Sequence, residues 1–342
     1  MSSLPLHHFP LPGTIDQIEP ITLGLINQTF KVRCSTPDGP LHYILQQINT
    51  SIFRQPVAVM DNIQQVAAFL SGSNYPRHIL QALPTKTGES FCVDVQNQYW
   101  RLYPFLENSL SVQRADRPEW AYEAAYTFGE YARYLADFDV GKLQVTVADF
   151  HHTPKRFAHF QTSIGQASEE RLAKARALIE NLLNAKHLLA HYPALENCQR
   201  VVHYDTKISN VLLDAQTYKG VCVIDLDTLM PGMLAYDYGD MVRTFAPPVD
   251  ENATDLAQVF VRPDILQATR EGFLEGIKDA ITKEEKEQLT DGARLIIYEQ
   301  SLRFLTDYLQ GDLYYSTSHP EQNLQRAQNQ WTLLQDFLRQ TT

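Results

Sequence analysis

Residues 201–244 read VVHYDTKISNVLLDAQTYKGVCVIDLDTLMPGMLAYDYGDMVRT, and the fold of the whole chain is decided there. The segment opens with His203-Tyr204-Asp205-Thr206-Lys207-Ile208-Ser209-Asn210. Fifteen residues after Asn210, Asp225 closes the apolar run Val221-Cys222-Val223-Ile224. In chain order this supplies a carboxylate, a cation and two side-chain oxygens able to hold a hard divalent ion. Phosphoryl transfer requires such a set, because the protein's part in it is mostly to position reactants and to neutralise charge. The five-residue step from Asp205 to Asn210 is the spacing of the Asp and Asn in kinase catalytic loops.

The side-chain chemistry distributes the roles. Asp205 is expected to accept the proton of an attacking hydroxyl, or to orient it, and Lys207 to reach the transferring phosphoryl group. Asn210 offers a neutral carbonyl oxygen and Asp225 a carboxylate, a suitable pair for Mg2+ bridging the phosphates of ATP. His203 reads as a structural brace, its ring bonded to backbone. Asp227 can hold a second Mg2+ or bond to backbone in the turn that Pro231-Gly232 closes, and the second role is the expectation. A lone Asp in a loop is ordinarily a solvated charge; the joint pattern, ending at the tip of an apolar strand, carries the reading.

Upstream, strand-like runs cover 18–23, 29–34 and 43–48. Thr36-Pro37-Asp38-Gly39 forms the turn between the last two, since Pro presets φ and Gly accepts positive φ. Gly24-Leu25-Ile26-Asn27-Gln28-Thr29 lies where a phosphate-covering loop belongs, although it holds one glycine rather than a Gly-x-Gly-x-x-Gly run. Gly24, Asn27 and Thr29 are its candidate nucleotide contacts. Residues 56–70 carry apolar positions at helical spacing and stop at Ser71-Gly72-Ser73. Two further strands, 91–95 and 99–103, flank the turn Gln96-Asn97-Gln98. Pro104, Phe105 and Leu106 then form a link whose peptide groups can meet the adenine edge. Residues 1–13 are Pro-rich and expected to be a loosely held arm.

Downstream the pattern is helical. One helix is expected over 118–138, with Trp120, Ala124, Phe128, Tyr131 and Leu135 on one face. A second, capped by Ser168, runs to about His187. Thr282-Lys283-Glu284-Glu285 is a capping box opening a long helix to about Gln310, and His319-Pro320 starts the last. The segment Pro247-Pro248-Val249-Asp250-Glu251-Asn252 reads as a surface loop.

The 342 residues exceed what one core usually fills, so two lobes are expected. A formal charge of −11 argues against a nucleic-acid or anionic-membrane partner. The four cysteines, Cys34, Cys92, Cys198 and Cys222, form neither a disulfide framework nor a zinc motif. With no signal segment and no membrane-length apolar run, a cytoplasmic protein is expected.

HYDTKISNVLLD, VIDLDTLMPG and YDYGDMVRT, with GLINQTFKV, YILQQINTSIF, YPFLE and RFLTDYLQGD, resemble the aminoglycoside phosphotransferase and choline kinase family over nearly the whole chain. The resemblance implies an α+β, two-lobed protein-kinase-like fold. A small β-rich N-lobe (1–106) ends in the hinge, and a larger, mainly helical C-lobe (107–342) follows. It also implies ATP with Mg2+ as cofactors. The similarity is greatest to the branch whose small-molecule sugar substrate is an N-acetylhexosamine, phosphorylated at its anomeric hydroxyl. One departure stands out. Where the general kinase pattern has a strand lysine paired with a helix glutamate, this chain has Gln46, and its helix offers Asp61, Gln64 and Gln65. An amide cannot offset phosphate charge, so Lys31, Arg33 or Lys207 would have to assist.

Arg303 lies in the otherwise apolar Leu302-Arg303-Phe304-Leu305. Such an Arg either pairs with a buried carboxylate such as Asp240 or meets a ligand. The resemblance favours sugar contact, with Asp205, Asp240 and Arg243 shaping the same pocket. Three alternatives remain: a kinase for another alcohol, such as choline, an aminoglycoside or a different sugar; a silent ATP-binding protein; and a metal-dependent hydrolase using His203, Asp205, Asp225 and Asp227.

Overall fold

The structure, a computed structural model, describes residues 4–22, 26–193 and 199–341. Five antiparallel strands form the first sheet: β1 (Thr14–Ile21), β2 (Gln28–Thr36), β3 (Gly39–Ile48), β4 (Cys92–Val93) and β5 (Tyr99–Pro104), in the order β1-β2-β3-β5-β4. The β2–β3 hairpin turns at Pro37-Asp38, with Thr36 opposite Gly39 and Gly39 at φ +118°. The β4–β5 turn is closed by Asp94, whose carboxylate accepts the backbone N–H groups of Gln96 and Gln98. That use of Asp94 leaves β4 shorter than the 91–95 run suggests.

Alternation gives the sheet two faces. Val32, Cys34, Leu45, Cys92, Trp100 and Leu102 point outward and form a small core with Leu6 and Phe9. Residues 4–13 of the Pro-rich segment are therefore no loose arm. Phe9 is 1% exposed, and burial of these two side chains outweighs the entropy of ordering the segment.

The other face looks toward helix α1 (Pro56–Ser71) and the rest of the chain. There a single large core runs from Ile48, Val59 and Ile63 into α2 (Pro118–Tyr134), α3 (Thr153–Ile164), α4 (Glu169–Asn184), α5 (Leu234–Phe245), α6 (Pro263–Ile277), α7 (Lys283–Gln310) and α8 (Gln322–Thr341). Short strands complete the fold. β6 (Ser109–Ser111), β8 (Val211–Asp214) and β9 (Gly220–Val223) form one sheet, and β7 (Arg200–Val202) pairs with β10 (Met230–Gly232). No helix of the described residues is long and apolar enough to cross a membrane. Cys34, Cys92 and Cys222 are buried free thiols; Cys198 lies outside the described residues.

The capping box at Thr282 and Glu285 is formed as expected. The helix expected over 118–138 ends at Tyr134, although Leu135 and Phe138 stay buried through two tight i→i+3 turns. The helix expected to reach His187 ends at Asn184 and continues as a 3₁₀ segment, Ala185–His191. Helices α3, α5 and α6 have no counterpart in the sequence reading. In α5 nearly every residue is buried, Asp237, Asp240 and Arg243 included, and Leu234, Tyr238, Met241, Val242 and Phe245 stand at helical spacing, so the sequence does carry a signal for this helix. In α6 the packed face is built partly of glycine.

That glycine face sets how close α2 and α6 lie. A Cβ at Gly276 would sit 2.2 Å from the Tyr126 carbonyl oxygen, and one at Gly272 would sit 2.2 Å from that of Tyr122. Alanine would gain about 1 kcal/mol of helix propensity. Backbone cannot yield as a side chain would, so overpacking wins. Gly276→Ala is expected to destabilise the fold by roughly 1–3 kcal/mol, read as a lower urea midpoint with an unchanged denaturant slope.

Candidate active site

Between β7 and β8 the chain makes one loop, and its hydrogen bonds explain its shape. Asp237, on α5, accepts the backbone N–H groups of His203 (2.8 Å) and Tyr204 (2.7 Å). The Thr206 hydroxyl donates to the Asp237 carbonyl at 2.6 Å. Tyr204 takes φ +63°, and the buried pair His151–Glu299 (2.8 Å) lies beneath it. His203 is the brace the sequence suggests. Its Nε2 bonds the Ile224 carbonyl at 2.9 Å and its Nδ1 meets the Asp205 N–H at 3.2 Å.

So held, Asp205 faces the cleft half-buried. Lys207 Nζ lies 3.0 Å from its Oδ2, and Asn210 Nδ2 donates to its backbone carbonyl (2.8 Å) and to Oδ2 (3.2 Å). Burial pushes the Asp205 carboxyl up, but Lys207, His203 and Arg243 outweigh it and hold the group below the usual carboxylate range. Asp205 in turn raises Lys207, so the pair stays charged at neutral pH. With Nδ2 engaged, Asn210 keeps its amide oxygen for a cation.

The Ile224 N–H donates to the Asn210 carbonyl at 2.9 Å, which sets the 224–229 segment beside this loop. Asp225 takes φ +61°, and its carboxylate makes no hydrogen bond or ion pair among the described residues. Its pKa is pushed up to about 7 by burial, then by Asp227 and Asp205, against the pull of Lys207 and Arg101. A carboxylate crowded by like charges and lacking a protein partner suits a divalent cation, with Asn210 completing the pair. Among the described residues no three His, Cys, Asp or Glu are arranged to hold a metal. A Mg2+ here would therefore draw its remaining ligands from phosphate oxygens and water.

Asp227 departs from expectation. Its carboxylate bonds to no turn backbone. Oδ1 pairs with Arg101 Nη1 at 2.5 Å, and Oδ2 accepts from Asn27 Nδ2 at 2.6 Å. The Asn27 side-chain oxygen accepts the Asn49 N–H at 2.9 Å, so this residue ties strands together as well as facing the cleft. Gln46 Nε2 donates to Thr29 Oγ1 at 3.2 Å. Gly24 lies outside the described residues. In the link after β5 the Phe105 N–H donates to the His42 carbonyl at 3.0 Å and Pro104 has no N–H. That leaves the Leu106 N–H of this link without a partner among the described residues. Lys31 sits 4.0 Å over the Phe105 ring, and Arg33 pairs with Asp16 at 3.7 Å. Neither cation lies beside Gln46; Arg101 does.

On the opposite side of Asp205, Arg243 pairs with Asp240 (2.8 Å) and Glu251 (3.1 Å). Arg303 is thus not the partner of Asp240. Among the described residues it makes no ion pair, and it sits 5.5, 6.0 and 5.7 Å from the ring centres of Phe150, Tyr314 and Tyr315. Asp240 Oδ2 and the Tyr315 hydroxyl are buried without hydrogen-bond partners.

A family model described as APH, phosphotransferase enzyme family, matches residues 17–268. Among solved structures, a microcompartment-associated aminopropanol kinase superposes with a TM-score of 0.65 at 17% identity, over 98% of this chain and 96% of that one. A spectinomycin phosphotransferase in complex with ADP and spectinomycin gives 0.64 at 13% identity, over 98% and 95%. An ethanolamine kinase from Plasmodium vivax gives 0.59 at 15% identity, over 92% and 82%. At such identities the likeness is one of fold, and the two-lobed protein-kinase-like architecture expected from the sequence is the one found.

Proposed function

The chain belongs to the APH phosphotransferase enzyme family, and from that premise we propose that it is an N-acetylhexosamine 1-kinase, using ATP and Mg2+. The observation that carries the reading is the bonded triple of Asp205, Lys207 and Asn210 set beside Asp225, a carboxylate without a protein partner. Asn210 and Asp225 would hold Mg2+, which supplies charge neutralisation at the β- and γ-phosphates. Asp205 orients the acceptor hydroxyl and takes its proton, and Lys207 steadies the equatorial oxygens of the moving group. With the lobes divided at 106/107, the Leu106 peptide would meet the nucleotide base, while Thr29 and Gln46 would stand nearer the phosphates.

The acceptor follows from charge. The solved structures of like fold include kinases named for amine-bearing acceptors, and an ammonium group wants carboxylates. Here the far wall carries Arg243, already paired, and Arg303, which makes no ion pair among the described residues although the charge of Glu299 acts on it. An ammonium acceptor would gain no partner from Arg303. A neutral pyranose fits: aromatic rings meet its C–H faces, Arg303 donates to an acetamido carbonyl, and Asp240 Oδ2 and the Tyr315 hydroxyl gain the partners they lack.

Coupled ADP release with N-acetylglucosamine, N-acetylgalactosamine, choline, ethanolamine, 1-aminopropan-2-ol and spectinomycin tests this. Turnover is expected on the two sugars, giving a phosphate at the anomeric carbon and so loss of the reducing end. Turnover on an amino alcohol with none on either sugar would overturn the acceptor. Arg303→Met, which keeps bulk and removes charge, is expected to raise the sugar KM by about tenfold or more, the worth of one charged hydrogen bond, with the ATP KM almost unmoved.

A further inference from the structure

A buried arginine occupies the region where this chain lacks a lysine. On the inner face of the sheet, Thr29, Gln46 and Arg101 are register neighbours across β2, β3 and β5. Arg101 is 1% exposed. Its Nε and Nη2 both donate to Gln46 Oε1, at 2.9 and 2.5 Å, and its Nη1 meets Asp227 Oδ1 at 2.5 Å. Met60 Sδ lies 3.6 Å from Nη1, and the Tyr103 ring centre is 5.3 Å from the guanidinium carbon. A chain of polar contacts thus runs from Thr29 through Gln46 and Arg101 to Asp227, two residues beyond Asp225.

We propose that the Arg101–Asp227 pair, forked by Gln46, fastens the sheet to the loop carrying Asp225 and sets that carboxylate for the nucleotide and its cation. The strand-to-helix ion pair of kinases has in effect moved one strand across the sheet and exchanged its helix partner for the metal loop. Arg101 is a positioning residue in this scheme, since its donors are directed at Gln46 and Asp227 rather than at solvent. Gln46 is explained by the same geometry. A lysine there would crowd the guanidinium with a second positive charge, whereas an amide oxygen accepts two of its N–H groups.

Helix α1 contributes no carboxylate to the arrangement. Its buried polar residue, Asn62, donates instead to the carbonyls of Leu229 (2.9 Å) and Gln144 (2.8 Å). The pair is thus made without an α1 side chain, unlike the strand–helix pair of regulated kinases, and α1 touches this region through Asn62 and through Met60, whose sulfur meets Arg101. The Asn27–Asp227 bond adds a second tie from the β1–β2 segment to the same carboxylate.

The inference rests on the phosphoryl-transfer reading, and the test separates the two. Amide hydrogen exchange at residues 224–229 and calorimetric binding of ADP with Mg2+ are measured in wild type, Arg101→Gln, Arg101→Lys and the double variant Arg101→Gln/Gln46→Lys. Arg101→Gln is expected to speed exchange at these amides and to weaken nucleotide binding, each by about tenfold or more. The double variant restores a cation within reach of Asp227 and is expected to recover most of both losses. Should Arg101→Gln fail to fold, Arg101→Lys and the double variant carry the comparison. Unchanged exchange, unchanged nucleotide affinity, or a folded double variant no better than the single one would each overturn the proposal. If exchange responds as expected while wild type itself binds no nucleotide, the kinase reading falls and the fastening of sheet to loop stands.

Discussion

Asp205→Asn is expected to lower kcat by about a thousandfold while leaving nucleotide binding almost intact. The asparagine oxygen can still accept from Lys207 and from Asn210, which now bond the carboxylate at 3.0 and 3.2 Å, so the loop keeps its shape. What is lost is an acceptor for the substrate proton. Asp205 sits below the usual carboxylate range because Lys207, His203 and Arg243 overcome its burial. It is therefore a weak base, fully ionised at neutral pH. In a loose, metaphosphate-like transition state little proton transfer is needed early, so much of its effect comes from aligning the hydroxyl. Single-turnover rates beside ATP titrations check this. A variant within tenfold of wild-type kcat would remove Asp205 from the chemistry.

The parts of the molecule legible in the sequence are those with local signatures. Turn residues, strand alternation and the capping box at Thr282 gave most of the small lobe and the long α7. The loop 203–210 was legible because its residues serve the chemistry at fixed short spacings. What stayed hidden depends on partners far along the chain. Asp237 supports the loop from 34 and 33 residues beyond His203 and Tyr204, and His151 meets Glu299 across 148 residues of chain. Asp227 looked like a turn residue because its true partners, Arg101 and Asn27, are 126 and 200 residues away. Yet a signal for Arg101 existed. It is the one charge in Tyr99-Trp100-Arg101-Leu102-Tyr103, the same anomaly that singled out Arg303. An arginine inside an apolar strand demands a buried anion, and Asp227 supplies it. The N-terminal arm misled for the opposite reason. Proline content suggested extension, while Leu6 and Phe9 found an uncovered sheet face.

Asp225→Asn is expected to weaken binding of nucleotide with Mg2+ by about a hundredfold or more, since the mutation removes the charged ligand of a hard cation. The same change should make the metal-free protein more stable at neutral pH. In the fold the Asp225 pKa is pushed up to about 7 by burial, Asp227 and Asp205, against about 4 in the unfolded chain. Between those values the folded state holds a proton the unfolded state has released, so metal-free stability falls as pH rises through that window and levels off above it. Cation binding must displace that proton, and the affinity of wild type for nucleotide with Mg2+ should climb by up to about tenfold per pH unit below 7 and then flatten. Asparagine cannot titrate, so the affinity slope should vanish in the variant, and the stability slope should shrink to what Asp237, itself pushed up to about 6 by burial, contributes below that pH. Melting curves of the metal-free protein and binding isotherms from pH 5 to 9 read the two effects separately. A wild-type affinity already flat from pH 5 upward would mean that Asp225 is not the cation's carboxylate. A variant less stable than wild type at pH 8 would mean that Asp225 is not held under repulsion, as its neighbours Asp227 and Asp205 require.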